Sequence, residues 1–316
     1  MNIKASVNAP TAYGLLAVLL WSTVVGLVRY VTEQFTPLGG TALVDTLGAL
    51  LLLVTVGLPD MRAVSRPYLL VGGSLFVICE IGLALALGFS HSRTEAMEVG
   101  VINYFWPSLT ILFSIFMNGK KVKIFIVPGI LLATFGVIRV LGGEGVSFSF
   151  SALTEHFLKN PLCYSLAFLD AVVWALYSAL TPRFAKDQNA VALFFVLAAI
   201  LLWILYFLLP GPLMLFPMHA LPDLVLASVA LGLGYGFWNI GLLRGNTSII
   251  IPFSYFTPVL SSIFAACWLK TSLGWSFWEG VMMVTVGSLF CFASLHSKRH
   301  STLIVKAPEL SKSNLV

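Results

Sequence analysis

Long apolar stretches separated by short polar segments follow one another along the whole chain. A stretch such as LLAVLLWSTVVGLV does not alternate polar and apolar positions, so it predicts a helix and not a strand. About 20 apolar residues in a helix cross a hydrocarbon core ~30 Å thick, and a helix satisfies its backbone hydrogen bonds without water. The pattern predicts ten membrane-spanning helices, at residues 11–31, 38–58, 68–89, 95–117, 123–141, 161–181, 189–209, 221–243, 248–269 and 274–295. We therefore expect an all-α integral membrane protein, in which the first span is not a cleavable signal sequence.

Two of the predicted helices have similar sequences. Residues 103–113 read NYFWPSLTILF and residues 254–264 read SYFTPVLSSIF, so tyrosine, phenylalanine, proline, leucine and phenylalanine recur at an offset of 151. The offset continues into the next helix of each group in two pairs of glycines: Gly129 with Gly280, and Gly136 with Gly287. Glycines seven residues apart share a helix face, so we expect them to serve close helix packing, either within the fold or between protomers.

The repeat divides the chain into two groups of five helices. A second offset, of 159, aligns EIGL at residues 80–83 with NIGL at residues 239–242. The predicted groups are residues 11–141 and 161–296, joined by a Gly/Ser-rich connection, with residues 297–316 as a cytoplasmic tail. Because five is odd, a second copy enters the membrane inverted, and inverted repeats around a midplane site recur in secondary transporters. A duplicated scaffold without a transport role is the alternative.

Composition and charge agree with a membrane protein and predict its orientation. The chain is 59% hydrophobic and 10% charged, whereas a soluble domain is about 25% charged. If the N-terminus is cytoplasmic, 13 of the lysines and arginines lie inside and 5 outside, as the positive-inside rule requires. We therefore expect both termini in the cytoplasm. This bias explains the net charge of +5, so the charge is no argument for nucleic-acid binding, and no nucleic-acid partner is expected. The four cysteines lie in apolar stretches without metal-ligand spacing, so neither a metal nor a cofactor is predicted.

Ionisable side chains within the predicted spans are candidates for function. A charged group near the bilayer centre is costly unless it is paired or hydrated, and it marks a functional site by default. Glu80 lies near the middle of the third span and Asp170 near the middle of the sixth, so both are candidates for proton or cation coupling. Asp45 lies within the second span, whereas Glu98 lies nearer the outer interface, where we expect water to reach it.

Polar and aromatic residues of the repeated helices outline a candidate binding site. Asn103 and Trp106 share one helix face, and an amide and an indole can both contact an amino acid. Pro107 and Pro258 each remove one backbone hydrogen bond and are predicted to kink their helices. Core packing and hydrogen bonds between helices are the alternative role for these side chains. The predicted substrate-binding residues are Trp21, Glu80, Asn103, Tyr104, Trp106, Trp174, Trp238, Asn239, Ser254 and Tyr255.

Several long segments of the chain resemble a known family. They are LLWSTVVGLVR, ICEIGLAL, MEVGVINYFWPSLTILF, NGKK and SYFTPVLSSIFAA. On these segments, residues 11–295 resemble the EamA-like aromatic amino acid exporters of the bacterial drug/metabolite transporter (DMT) superfamily. The resemblance implies ten transmembrane helices as two inverted five-helix repeats, cytoplasmic termini and the bacterial inner membrane. It also implies a central cavity between the third, fourth, eighth and ninth helices, and export of aromatic and other neutral amino acids and of the dication paraquat.

The resulting hypothesis is a secondary transporter that exports aromatic and other neutral amino acids by alternating access. The alternative is an exporter of another small metabolite or of a cationic drug in the same superfamily. Phosphorylated substrates are disfavoured because the second half has no lysine or arginine near the middle of a span. An enzyme is not expected, since the H-E-x-x-H and G-x-S-x-G motifs are missing from the sequence. The expected partners are a small-molecule substrate and the lipid bilayer, with a monomeric protein; the substrate range and driving force stay open.

Overall fold

The computed structural model describes residues 8–118, 126–141, 150–185 and 188–295, and all regular secondary structure in these residues is helical. A turn of π-helix, Tyr68–Gly72, leads into α3, and a turn of 3-10 helix, Met218–Ala220, leads into α10. The predicted tail, residues 297–316, lies outside the described residues. The α-helices of the described chain are α1 Ala9–Gln34, α2 Pro37–Thr55, α3 Gly73–Gly88, α4 Arg93–Asn103, α5 Trp106–Asn118, α6 Ile126–Leu141, α7 Phe150–Lys159, α8 Pro161–Phe184, α9 Val191–Leu208, α10 Leu221–Arg244, α11 Thr247–Ser254, α12 Thr257–Trp268 and α13 Trp275–Leu295.

Eight segments of the described chain are long and apolar enough to cross a membrane. They are Ala9–Gln34, Pro37–Thr55, Tyr68–Gly88, Arg93–Met117, Pro161–Thr181, Val191–Leu208, Met218–Gly241 and Trp275–Ala293. Helices α6 and α12 are also apolar but shorter, with 16 and 12 residues. The protein is therefore a multi-pass membrane protein, and the prediction of an all-α membrane fold is confirmed at this level.

Polar residues between the apolar stretches determine where several helices begin. The Asn8 side chain accepts a hydrogen bond from the Thr11 backbone N–H at the start of α1, and Thr36 accepts one from Gly39 in α2. Asn160 caps α8 in the same way. Each of these three helices has a proline in its first turn, where the missing N–H would have had no partner within the helix.

The predicted fourth and ninth spans are each broken into two helices. Residues 104–105 separate α4 from α5, and residues 255–256 separate α11 from α12. The two breaks therefore lie at the repeat offset of 151 residues. Pro107 and Pro258 stand in the first turn of α5 and α12. Because proline has no backbone N–H, neither can continue the hydrogen bonding of the helix before the break.

Most of the close packing joins helices from the two predicted groups of five. Helix α1 packs along α10 and α12, and α8 packs along α3 and α5. Helix α2 packs against α9, and α6 packs against α13. Each group alone has fewer contacts among its own helices, so the core of the protein lies between the two groups.

Helices α6 and α13 touch through the repeated glycines. A Cβ atom added to Gly136 would lie 2.7 Å from the carbonyl oxygen of Gly280, and one added to Gly129 would lie 2.9 Å from that of Gly287. The earlier glycine of α6 meets the later glycine of α13, so the two helices run antiparallel. Their backbones are too close for even a methyl group, which places this glycine contact within the fold.

The connection between the two groups contains a helix where the pattern predicts a loop. Helix α7, Phe150–Lys159, occupies its second half, whereas residues 142–149 lie outside the described residues. The Phe157 ring stacks on Tyr164 of α8 at a centroid distance of 6.2 Å. The segment is too short and too polar to register as an apolar stretch, although alanine, leucine, glutamate and lysine all favour a helix.

Ion pairs and backbone hydrogen bonds made by two arginines join four helices at one end of the bundle. Glu33 of α1 accepts hydrogen bonds from Arg29 at 2.9 Å and from Arg93 of α4 at 2.8 Å. Arg29 also donates to two backbone carbonyls at the end of α3, and Arg93 donates to the Leu269 carbonyl after α12. None of these side chains lines the cavity described below.

Candidate functional site

Helices of both groups surround a cavity of about 870 Å³, a volume that includes its open mouth. The two helix breaks lie at this cavity, because Tyr104, Pro107, Ser254, Tyr255 and Pro258 all line it. Small-molecule sites in proteins combine apolar walls with a few polar groups. The position and lining of the cavity therefore make it the candidate substrate site.

Aromatic rings in mutual contact form one wall of the cavity. The Trp21 ring meets Tyr235 edge-on at 5.0 Å, and Trp174 meets Tyr235 at 5.7 Å and Trp106 at 6.2 Å. Behind them, Phe76 packs against both Trp174 and Tyr235. Edge-to-face contacts of this kind stabilise ring orientations, so the wall offers flat apolar surfaces in fixed positions.

Two carboxyl groups bring negative charge to the cavity. Glu80 of α3 is 9% exposed and accepts a hydrogen bond from the Tyr235 hydroxyl at 2.6 Å. Asp170 of α8 is 1% exposed and accepts a hydrogen bond from the Asn103 side-chain amide. Each carboxyl group is thus held by a neighbour from another helix, with part of its hydrogen-bonding capacity left for a ligand.

Two buried polar atoms of the lining have no hydrogen-bond partner in the protein. They are the Trp21 indole nitrogen, a donor, and the second Asp170 carboxylate oxygen, an acceptor. Buried polar groups are almost always paired, and an unpaired one needs an explanation such as a bound molecule. A ligand carrying both an acceptor and a donor could satisfy these two atoms.

Eight of the ten predicted substrate-binding residues line the cavity, and so does Asp170. Trp238 and Asn239 do not line it. They lie on the same face of α10 as Leu231 and Tyr235, but one turn beyond the cavity, where Trp238 packs on Trp21 at 5.1 Å. The eight predicted residues that line the cavity are Trp21, Glu80, Asn103, Tyr104, Trp106, Trp174, Ser254 and Tyr255.

The cavity also contains residues outside the predicted set. Tyr235 is the most prominent because it contacts both the aromatic wall and Glu80. It lies four residues before Asn239, so a search for aromatic residues on the same helix face would have found it. Thr257 and Ser288 also line the cavity, but isolated small polar residues in a span carry no such signal.

Glu98 is buried, contrary to the expectation that water reaches it. Glu98 is 6% exposed, and its carboxylate accepts a 2.5 Å hydrogen bond from the Tyr164 hydroxyl of α8. A polar partner from another helix therefore replaces water. Glu279, by contrast, is 38% exposed at its side chain and pairs with Arg139 at 2.8 Å.

Comparison with known proteins finds similar sequences over most of the chain. The EamA-like transporter family profile matches residues 10–142 and 161–293. Aromatic amino acid exporter YddG of Salmonella typhimurium is 48% identical over 282 residues, which cover 89% of this chain and 96% of the relative. The protein of the same name from Escherichia coli is 46% identical with the same coverage, and that from Ancylobacter novellus is 30% identical over 81% of this chain and 87% of its own length.

A solved crystal structure has the same fold at lower sequence similarity. It aligns with a TM-score of 0.66 and 23% identity, covering 92% of this chain and 100% of that one. The family match covers most of the described spans, and the relatives match nearly their whole length. The chain therefore belongs to the EamA-like transporter family.

Proposed function

We propose that this protein is a secondary transporter that exports aromatic and other neutral amino acids from the cytoplasm by alternating access. The observation that carries the proposal is an aromatic-walled cavity with carboxyl groups, in a chain 48% identical to a named aromatic amino acid exporter. An amino acid has a side chain for the aromatic wall, an ammonium group for the acids and a carboxylate for a donor.

The proposed binding mode assigns one role to each kind of group. The rings of Trp106, Trp174 and Tyr235 pack against the substrate side chain. The Glu80 carboxylate and the free oxygen of Asp170 meet the ammonium group. The unpartnered Trp21 indole N–H donates to the carboxylate.

The proposed architecture is ten transmembrane helices in two inverted repeats, residues 11–141 and 161–296. Helices α6 and α12 complete the ten spans beside the eight longer segments. Two observations support the inversion. Exchanging the two groups converts the α1–α10 and α1–α12 contacts into the α8–α3 and α8–α5 contacts, and the repeat mates α6 and α13 run antiparallel. This is the symmetry that an inverted repeat requires.

The proposed location is the bacterial inner membrane, with both termini and the tail, residues 297–316, in the cytoplasm. The uneven distribution of lysine and arginine supports this orientation. The proposed transporter is a monomer and carries out no chemical conversion of its substrate.

Substrate counterflow in proteoliposomes tests the proposal. Vesicles are loaded with unlabelled phenylalanine, and labelled phenylalanine is added outside. We expect accumulation with the natural protein and its loss with Trp106→Ala and Glu80→Gln, because one removes an aromatic wall and the other the ammonium partner. Phe116→Ala is the matched control, since Phe116 lies on the same helix as Trp106 but is 78% exposed at the protein surface.

Two other results would change the assignment. If the natural protein accumulates a different small metabolite or a cationic drug but no amino acid, the alternative substrate class replaces the proposed one. If Trp106→Ala and Glu80→Gln both transport phenylalanine as well as Phe116→Ala does, the proposed site is wrong.

A further inference from the structure

A second cavity, of about 310 Å³ with its open mouth included, lies beside the first and has no part in the proposed binding of an amino acid. Thr41, Val44 and Asp45 of α2 line it, together with apolar residues of α1, α3 and α10. Glu80 lines both cavities and therefore stands in the wall between them. A change in the protonation of Glu80, or in its contacts, therefore affects both cavities.

Asp45 is an unsatisfied acid at this second cavity. The residue is 3% exposed, and one of its carboxylate oxygens has no hydrogen-bond partner in the protein. A buried carboxylate without a partner is strongly disfavoured relative to one in water. The group therefore requires a bound cation or a proton.

The ionisable groups around Asp45 include no free cation among the described residues. From α3, Glu80 faces Asp45 closely enough for their charges to interact. From α8, Asp170 interacts electrostatically with Glu80. From α10, Tyr235 donates its hydrogen bond to Glu80, and from α1, Arg29 is engaged at the end of α3. From α9, Tyr206 binds the backbone after that helix. The other charged residues of α10, at its two ends, are Asp223 and Arg244.

A metal ion does not suit this second cavity. Hard metal cations prefer about six oxygen ligands. The Thr41 hydroxyl is already used in hydrogen bonds to backbone carbonyls of its own helix, and one Glu80 oxygen is taken by Tyr235. Valine, leucine and alanine supply the rest of the lining. A proton needs only one or two carboxyl oxygens, which Asp45 and Glu80 supply.

We propose that Asp45 and Glu80 hold one exchangeable proton between them, and that this proton moves inward as an amino acid moves outward. The proposal rests on the proposed function, because it gives that transporter its coupling ion. In the cytoplasm-facing state, the substrate ammonium binds ionised Glu80, so the O–H bond of the pair breaks and the proton leaves to the cytoplasm. In the outward-facing state the amino acid leaves, and an outside proton forms the O–H bond again.

The coupling is measured as protons moved per phenylalanine. Proteoliposomes are loaded with phenylalanine and the pH indicator pyranine, and efflux is started by dilution. We expect the interior to acidify, with about one proton entering for each phenylalanine that leaves, as in carboxylate-based proton relays. The ratio should stay the same when choline replaces sodium in the outside buffer.

Three variants locate the proton. Asp45→Asn should reduce the ratio of protons to phenylalanine to about a tenth or less, because Glu80 then has no second carboxyl group with which to share the proton. Asp60→Asn makes the same substitution at an exposed aspartate and should keep the natural ratio. Asp45→Glu keeps a carboxyl group and should retain proton movement.

A measurement on the natural protein keeps the proposal testable if Asp45→Asn does not fold. A hydrophobic carbodiimide reacts with protonated buried carboxyl groups, and peptide mass spectrometry identifies the modified residue. We expect modification of Asp45 or Glu80, and less of it in the presence of phenylalanine. Modification of neither residue would overturn the proposal.

The remaining outcomes separate this proposal from the transport proposal. Net efflux of phenylalanine without acidification, or with a sodium requirement, overturns the proton site and leaves the amino acid transporter standing. An unchanged ratio in Asp45→Asn overturns the role of Asp45. Failure of counterflow for every amino acid overturns both proposals.

Discussion

At the residue scale, the candidate substrate cavity contains polar atoms that the protein leaves without partners. The Trp21 indole N–H and one Asp170 oxygen are buried and unpaired, whereas Trp203, in another part of the fold, donates to the Thr46 hydroxyl at 2.9 Å. An unpaired buried donor costs stability in the free protein, and that cost is relieved when a ligand supplies the acceptor. Trp21 and Trp203 are therefore expected to respond differently to the same substitution.

Trp21→Phe should weaken phenylalanine binding about five- to tenfold, or about 1 kcal/mol, because the ring stays and the donor is lost. The ligand-free protein should lose little stability, since no hydrogen bond within the protein is broken. Trp203→Phe should show the reverse, with about 1 kcal/mol lower stability and unchanged binding. Calorimetric binding and thermal unfolding of the purified proteins measure both. Equal weakening of binding in the two variants would contradict a ligand role for Trp21.

The sequence predicts most of the residues that line the cavity, but not how far the cavity extends along α10. Trp238 and Asn239 are predicted to bind substrate because an aromatic and an amide lie together within a span. Helix periodicity predicts which residues share a face, and Leu231, Tyr235, Trp238 and Asn239 do share one. It does not predict how far along the helix the cavity extends, because that depends on how the neighbouring helices pack.

At the element scale, the repeated segments account for two features of the fold: the helix breaks at the cavity and the contact between α6 and α13. The proline of each repeat follows a helix break at the cavity, and the glycines of each repeat bring α6 and α13 into backbone contact. The apolar pattern does not show the breaks, because residues on both sides are equally apolar. Pro107 and Pro258 predict a kink in each span, but not that the span divides into two helices. The glycine contact could be anticipated as close packing, but only the structure shows that its partners are the repeat mates.

Gly136→Ala should lower the free energy of unfolding by about 1–3 kcal/mol, since the new methyl group would meet the Gly280 carbonyl oxygen. Gly236→Ala is the matched control on α10, where the nearest atom to an added Cβ is 3.6 Å away. It should leave stability unchanged or raise it by up to about 1 kcal/mol, because alanine favours a helix over glycine. Denaturant unfolding in detergent compares the two. A Gly136→Ala protein as stable as Gly236→Ala would show that the helices can move apart without cost.

At the scale of the whole molecule, the two groups of helices depend on each other. The main helix contacts run between the groups, and the cavity takes residues from both. Neither group alone would cover the polar side chains that face the cavity, so each would expose them to lipid. The fold class follows from the apolar pattern, whereas this interdependence follows from the pairing of helices.

Two chains produced by dividing the protein within residues 142–149 should each be degraded when expressed alone and should assemble when expressed together. The reason is that each half lacks the partners of its main contacts. Affinity purification through a tag on one half, followed by detection of the other, measures the assembly. Stable, monodisperse halves purified separately would contradict the expected dependence.

The two helix breaks have a further electrostatic consequence for what the cavity can hold. Each break presents the C-terminal end of one helix and the N-terminal end of the next to the same space, at residues 104–105 and 255–256. The aligned peptide dipoles of a helix place about half a positive charge at its N-terminal end and about half a negative charge at its C-terminal end. The cavity therefore carries charges of both signs from the backbone itself.

A zwitterion suits such a field better than a molecule with a single charge. Phenylethylamine keeps only the ammonium of phenylalanine, and 3-phenylpropionate keeps only the carboxylate. Each should compete with labelled phenylalanine at least about tenfold less well than unlabelled phenylalanine does. Equal competition by either compound would show that the charged group it lacks is recognised neither by the interrupted helices nor by the side chains.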